Sequence, residues 1–146
     1  MNKKDFIKYL DNSFKNYGLE KKGKCWLIET DELQKVISLE KSKYGNCYYL
    51  NYGYILKNVD LRNLEMHIYK QLNDLHGDGN SSLKELLDFD KNVSDEHLIA
   101  KLNVYIKNMV QELMNINSED DVLSELKKRS HLNDIPLVVK KYFRLS

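Results

Sequence analysis

The sequence predicts one α+β domain: an antiparallel meander sheet with an N-terminal helix and C-terminal helices packed on one face. Three observations predict it. A helical apolar stripe opens the chain, alternating apolar and polar segments follow as a block, and helical periodicity returns only after residue 90. Strands and helices that are segregated rather than interleaved point to the α+β class. At 146 residues, with 42% apolar and 31% charged residues, the chain can build a core without metals or disulfides, and it does not have the composition of a disordered segment.

The first helix is predicted over 3–17, because Phe6, Leu10, Phe14 and Tyr17 recur at helical spacing while Lys8, Asp11, Asn12 and Lys15 face outward. Gly18 ends it, since glycine adopts the left-handed conformation at little cost. Strand one is predicted over 23–30, with Asp31-Glu32 as the turn. Strand two covers 33–43, and Gly45-Asn46 reads as a two-residue hairpin turn. Strand three runs from Cys47 to Leu56, and a fourth strand covers 64–72. Residues 83–89 fit either a fifth short strand or a helical turn.

Alternation separates the two faces of this sheet. Trp26, Ile28, Ile37, Leu39, Tyr48, Leu50, Tyr52, Tyr54, Met66 and Ile68 form the core side. Glu29, Gln34, Ser38, Glu40, Ser42, Tyr49, Asn51, Glu65, His67 and Gln71 form a polar side, with Cys25, Leu27 and Val36 among them. Further along, Ser94 is an N-cap for a helix to Met114 whose buried stripe is Leu98, Leu102, Tyr105, Ile106, Met109 and Leu113. Ser118 and Asp121 form a capping box that opens a helix to about Arg129, and Pro136 suits the first turn of a last short helix.

The residues Gly18-Leu19, Lys22-Gly23-Lys24 and Trp26, then Leu39 to Gly45, Tyr49 to Gly53 and Glu65 to Ile68, resemble domain-of-unknown-function family 4304, a bacterial family of small α+β proteins. The resemblance covers residues 17–72. Glu40 stands where the family would have Gln, and Gln71 where it would have Arg. The resemblance implies a fold and no reaction.

Charge and motifs narrow the function classes. A net charge of +1 gives no global attraction to nucleic acid or membrane. The basic start of the chain carries its aromatics on the buried stripe rather than among its lysines, so a nucleic-acid site is not expected. No apolar run approaches a membrane span, no 7–15-residue apolar stretch follows the basic start, and the two cysteines fit neither a disulfide framework nor metal spacing. A cytoplasmic location is therefore expected, with Cys25 and Cys47 as free thiols, no cofactor and no metal site. His76-Gly77-Asp78-Gly79-Asn80 lacks the Lys-Ser/Thr of a P-loop and the regular acids of an EF-hand, and reads as a plain loop. His97 and His131 read as solvated residues.

Two site readings remain. Residues 85–125 hold ten acids against Lys91, Lys101 and Lys107. Of these, Asp95, Glu96, Glu119, Asp120 and Asp121 sit in helical first turns, where the helix dipole favours them, whereas Asp88, Asp90 and Glu125 do not. Together they would form an acidic surface for a basic protein partner. The most concrete case is an immunity protein that blocks a secreted bacterial toxin, a nuclease among the candidates. The alternative is a small-ligand binder or enzyme on the polar sheet face, where Glu40, Asn51, His67 and Gln71 would gather and a carboxylate could pair with an imidazole. No residue is assigned as catalytic, and the oligomeric state is left open.

Overall fold

Apolar residues at Phe6, Leu10 and Phe14 make one face of α1 (Lys3–Asn16), and all three are fully buried. Asn2 caps this helix, accepting the Asp5 amide through its side chain at 2.8 Å. The computed structural model describes residues 1–72, 82–91 and 93–145. Five strands follow α1 in the order β1 (Glu20–Lys22), β2 (Cys25–Glu29), β3 (Leu33–Lys41), β4 (Tyr48–Leu56) and β5 (Ile68–Gln71), each paired antiparallel to the next. Helices α2 (Ser82–Leu86), α3 (Asp95–Met114), α4 (Glu119–Lys127) and α5 (Leu137–Phe143) follow the sheet among the described residues.

The expected α+β meander is present, with five strands. The fifth strand is Glu20–Lys22, joined to β2 by a two-residue turn in which Gly23 has φ +60°. Residues 83–89, the segment that fitted a fifth strand, instead supply α2 and one isolated bridge from Asp88 to Cys47. Strand β5 begins at Ile68 rather than 64, and Met66 is buried outside the main core cluster. The expected loop at His76 lies outside the described residues.

Register follows from the turns. The Asp31-Glu32 turn places Cys25 opposite Ser38, as its length requires. The second hairpin differs: Lys41 pairs with Tyr48, so the connection is six residues, 42–47, and Gly45-Asn46 is not a two-residue turn. The cause is distant. Phe89 N donates to Asn46 O at 2.9 Å and Tyr48 N to Leu87 O at 3.0 Å, so backbone bonds to the segment after α2 hold this loop open. The register therefore moves by two residues, placing Glu40 opposite Tyr49 and Ser38 opposite Asn51. A shift of two keeps every side chain on its face.

Trp26, Ile37, Leu50, Tyr52, Leu56 and Ile68 from one sheet face join α1, α3, α4 and α5 in one core cluster. Ser94 caps α3 by accepting the His97 amide at 3.2 Å, and Leu98, Leu102, Ile106, Met109 and Leu113 are buried along it. The Ser118 cap accepts the Asp121 amide at 3.1 Å, while the Asp121 carboxylate accepts the Asn117 amide at 2.8 Å. Both cysteines are free. Among the described residues no helix is long and apolar enough to cross a membrane.

Candidate functional site

The polar sheet face is built on the row Cys25–Ser38–Asn51–Gln71, one residue from each of β2 to β5. Asn51 Nδ2 donates to Glu40 Oε1 at 3.2 Å, a diagonal contact that the two-residue register shift creates. Ser38 and Asn51 are buried, and their Oγ and Oδ1 atoms have no hydrogen-bond partner. Such atoms are uncommon in a folded protein.

His67 does not join this group. It precedes the Tyr54–Ile68 rung and lies four residues from Gln71, roughly 13 Å along the strand. Its ring is already occupied: the Leu56 amide donates to Nδ1 at 2.9 Å, which leaves Nε2 to carry the proton and donate to Asp60 O at 3.1 Å. His67 thus holds the chain after β4 against the segment entering β5. Glu40, Asn51 and Gln71 come together, and no carboxylate–imidazole pair forms between Glu40 and His67.

The acids of residues 85–125 divide between two ends of the molecule. Asp88 bridges to Cys47 beyond the Lys41 end of β3, and its carboxylate accepts the Asp90 amide at 3.0 Å. Asp95 and Glu96 open α3, with Asp95 paired to the Met1 ammonium at 3.0 Å. Glu119, Asp120 and Asp121 open α4 at the opposite end, beside the β2–β3 turn. The nine residues of β3 set these ends apart by roughly 26 Å, and the 20 of α3 by about 30 Å. Glu125 lies further along α4, 3.9 Å from Lys128.

At the α4 end the structure adds two acids that the sequence reading treated only as a turn. Glu32 Oε1 accepts the Glu119 amide at 3.0 Å, and Thr30 Oγ1 donates to Asn117 O at 2.8 Å. Asp31, Glu32, Glu119, Asp120 and Asp121 therefore form one acidic pole. Glu119 is engaged by Asn58 Nδ2 at 3.0 Å and by the Tyr142 hydroxyl. Among the described residues Asp31 and Asp120 have no side-chain partner. Beneath the pole lies Lys35, only 2% exposed, donating to Asn117 Oδ1 at 2.6 Å. Burial lowers its pKa from the ordinary lysine value, and nearby Asp121 opposes the shift. Lysine at the alternating position between Leu33 and Ile37 was the available sequence signal for it.

A cleft of about 510 Å³ that the sequence did not reveal opens between β5, α3 and the segment after α4. Glu112 lines it, accepting from Tyr52 Oη at 2.7 Å and from Lys70 Nζ. Arg129 pairs with Asp134 at 3.1 Å, and both line the cleft. Burial, then the Glu112 carboxylate, pushes the Tyr52 hydroxyl far above the ordinary tyrosine range; burial does the same to Tyr54, with Glu112 and Glu125 adding to it. Both phenols thus stay neutral and can donate. Among the described residues no cluster of His, Cys, Asp and Glu is placed to hold a metal ion.

A small α+β module of this kind, a five-stranded antiparallel meander covered on one face by helices, defines the structural class. Residues 10–129 match the family described as "Domain of unknown function (DUF4304)", and the chain belongs to that family. No curated protein and no solved structure matches it.

Proposed function

We propose that the chain is a protein-binding module, most concretely a cytoplasmic immunity protein that neutralises a basic toxin, a nuclease among the candidates. The observation that carries this reading is the acidic pole. Asp31, Glu32, Glu119, Asp120 and Asp121 come from two separate elements, and the Lys35 ammonium beside them is buried. The N-terminus of α4 accounts for the acids of its first turn and, through the Glu119 amide, for Glu32, but not for Asp31. Such a surface suits a basic active-site cleft, where complementary charge speeds association and disfavours wrong partners. The pole is narrower than the surface expected from sequence, and Asp88 and Asp90 lie outside it. Co-expression of this chain with any candidate toxin domain that a neighbouring gene encodes tests the reading: growth should be rescued, and no rescue would overturn it.

A second reading, a small-ligand site on the sheet face around Glu40, Asn51 and Gln71, is favoured by the two buried, unpartnered oxygens of Ser38 and Asn51. A ligand donating hydrogen bonds there would satisfy both. Asn51→Leu should abolish any such binding while leaving neutralisation of a toxin intact.

A further inference from the structure

The sheet has two edges, and they are guarded differently. At β1 all three residues are exposed, and Lys21 and Lys22 place charge along the edge. Lysines there discourage another strand from pairing. At β5 Tyr69 is 55% exposed and Gln71 is uncharged, while the one charge, Lys70, is drawn toward the helical layer by Glu112. Leu72 N donates to Leu50 O at 2.7 Å. Bonded and non-bonded pairs alternate in an antiparallel ladder. Tyr52–Lys70 is then a bonded pair, and the amides and carbonyls of Tyr69 and Gln71 point away from β4. Among the described residues no backbone partner satisfies them.

The cleft lies directly along this open edge, with Tyr69, Lys70, Gln71 and Leu72 forming its strand-side wall. It continues into a recess of about 90 Å³ whose apolar lining includes Ile68, Ile116, Val122 and Leu126. A strand edge with free backbone groups selects an extended chain, and pockets beside it select alternate side chains.

We propose that the β5 edge and its cleft bind an extended peptide segment of a partner protein, which adds to the sheet as a sixth strand. The row Tyr54–Ile68 would continue into a peptide side chain beside the apolar recess. The row Tyr52–Lys70 would continue into one beside Glu112 and Arg129. The peptide therefore carries an apolar residue at the first position and a polar residue two positions away. The four residues of β5 offer roughly 13 Å of edge. This surface is separate from the acidic pole: the nine residues of α4, about 13 Å long, run from Glu119 at the pole to Lys127, two residues before Arg129 at the cleft. Either site can therefore fail without the other.

The test is selection of a random-peptide display library on the full chain, followed by amide hydrogen exchange with capped synthetic copies of the enriched peptides. The Tyr69 and Gln71 amides should exchange freely in the unliganded protein and become protected on binding. Copies N-methylated at alternate backbone positions should bind at least about tenfold more weakly in one of the two phases. Tyr69→Pro, which removes an outward N–H that an edge strand can lose, should do the same. Failure to enrich any peptide overturns the proposal. So do peptides that bind without protecting these amides, or that tolerate N-methylation in both phases. If the two amides are already protected in the free protein and sedimentation shows a dimer, a second copy of the chain occupies the edge and the proposal is wrong.

Discussion

Gly53→Ala should be the most damaging single-methyl change in the sheet. Gly53 sits in the centre of β4, opposite Val36 on one side and Tyr69 on the other. A Cβ there would lie 1.8 Å from Ile68 O, and 2.8 Å from both Ile68 C and Tyr69 Cα. All three are backbone atoms, so no side chain can rotate away. Restoring ordinary contact moves β5 outward by about 1.5 Å or more, which breaks hydrogen bonds at the neighbouring rungs. Two or three ladder bonds at about 1 kcal/mol each, with part of the 1.5–3 kcal/mol from burying Ile68, give a loss of about 3–5 kcal/mol. For a chain of this size that is roughly a 10 °C fall in melting temperature. Urea unfolding reads the loss directly, and amide exchange should show β5 released first. Gly45→Ala is the control, because its Cβ meets only Cys47 Sγ at 3.9 Å and should cost little. A Gly53→Ala protein within about 0.5 kcal/mol of wild type would refute the close approach of β5 to β4.

Alkaline stability should depend on Tyr52. Its folded pKa lies above the ordinary value of 10.0, so its stabilisation is complete below pH 10 and is lost as pH rises further. Relative to Tyr52→Phe, the wild type should lose about 1.4 kcal/mol per pH unit above pH 10 in denaturant titrations, and parallel curves would contradict the buried Tyr52–Glu112 contact. His67→Ala should destabilise the protein by at least about 1–3 kcal/mol, since it leaves the Leu56 amide without its 2.9 Å partner; unchanged stability would show that the ring holds nothing.

Legibility in the sequence tracked how local each cause was. The stripe Phe6–Leu10–Phe14, the Ser94 cap and the Asp31-Glu32 register depend on residues within a few positions of one another, and all were readable. Strand β1 was not, because Glu20, Lys21 and Lys22 are all exposed and an edge with no buried side leaves no alternation to detect. The width of the 42–47 loop is set by bonds to Leu87 and Phe89, some forty residues away, which no turn signature contains. His67 was assigned to the correct region but the wrong neighbours, since its partners come from Leu56 and Asp60 rather than from Glu40. The acidic surface was read as one because charge was counted along the chain, whereas α3 carries the two groups to opposite ends. Glu112 was visible only as an acid on the flank of a buried stripe, and the cleft around it exists only once β5 and α3 are packed.

Under the proposed reading, association kinetics of this chain with a basic toxin domain that it neutralises test the acidic pole most directly. Asp31 and Asp120 are the residues to reverse, because among the described residues neither side chain has a partner; reversing Asp120 in the first turn of α4 costs on the order of 1 kcal/mol of helix-dipole stabilisation, which urea unfolding checks. Asp31→Lys with Asp120→Lys should slow association by about tenfold or more at low salt and flatten its dependence on ionic strength, as screening lengths near 8 Å at physiological salt require. Asp88→Asn with Asp90→Asn, roughly 26 Å away, should leave the rate unchanged. Equal association rates and salt slopes for wild type and the Asp31/Asp120 reversal would contradict the account.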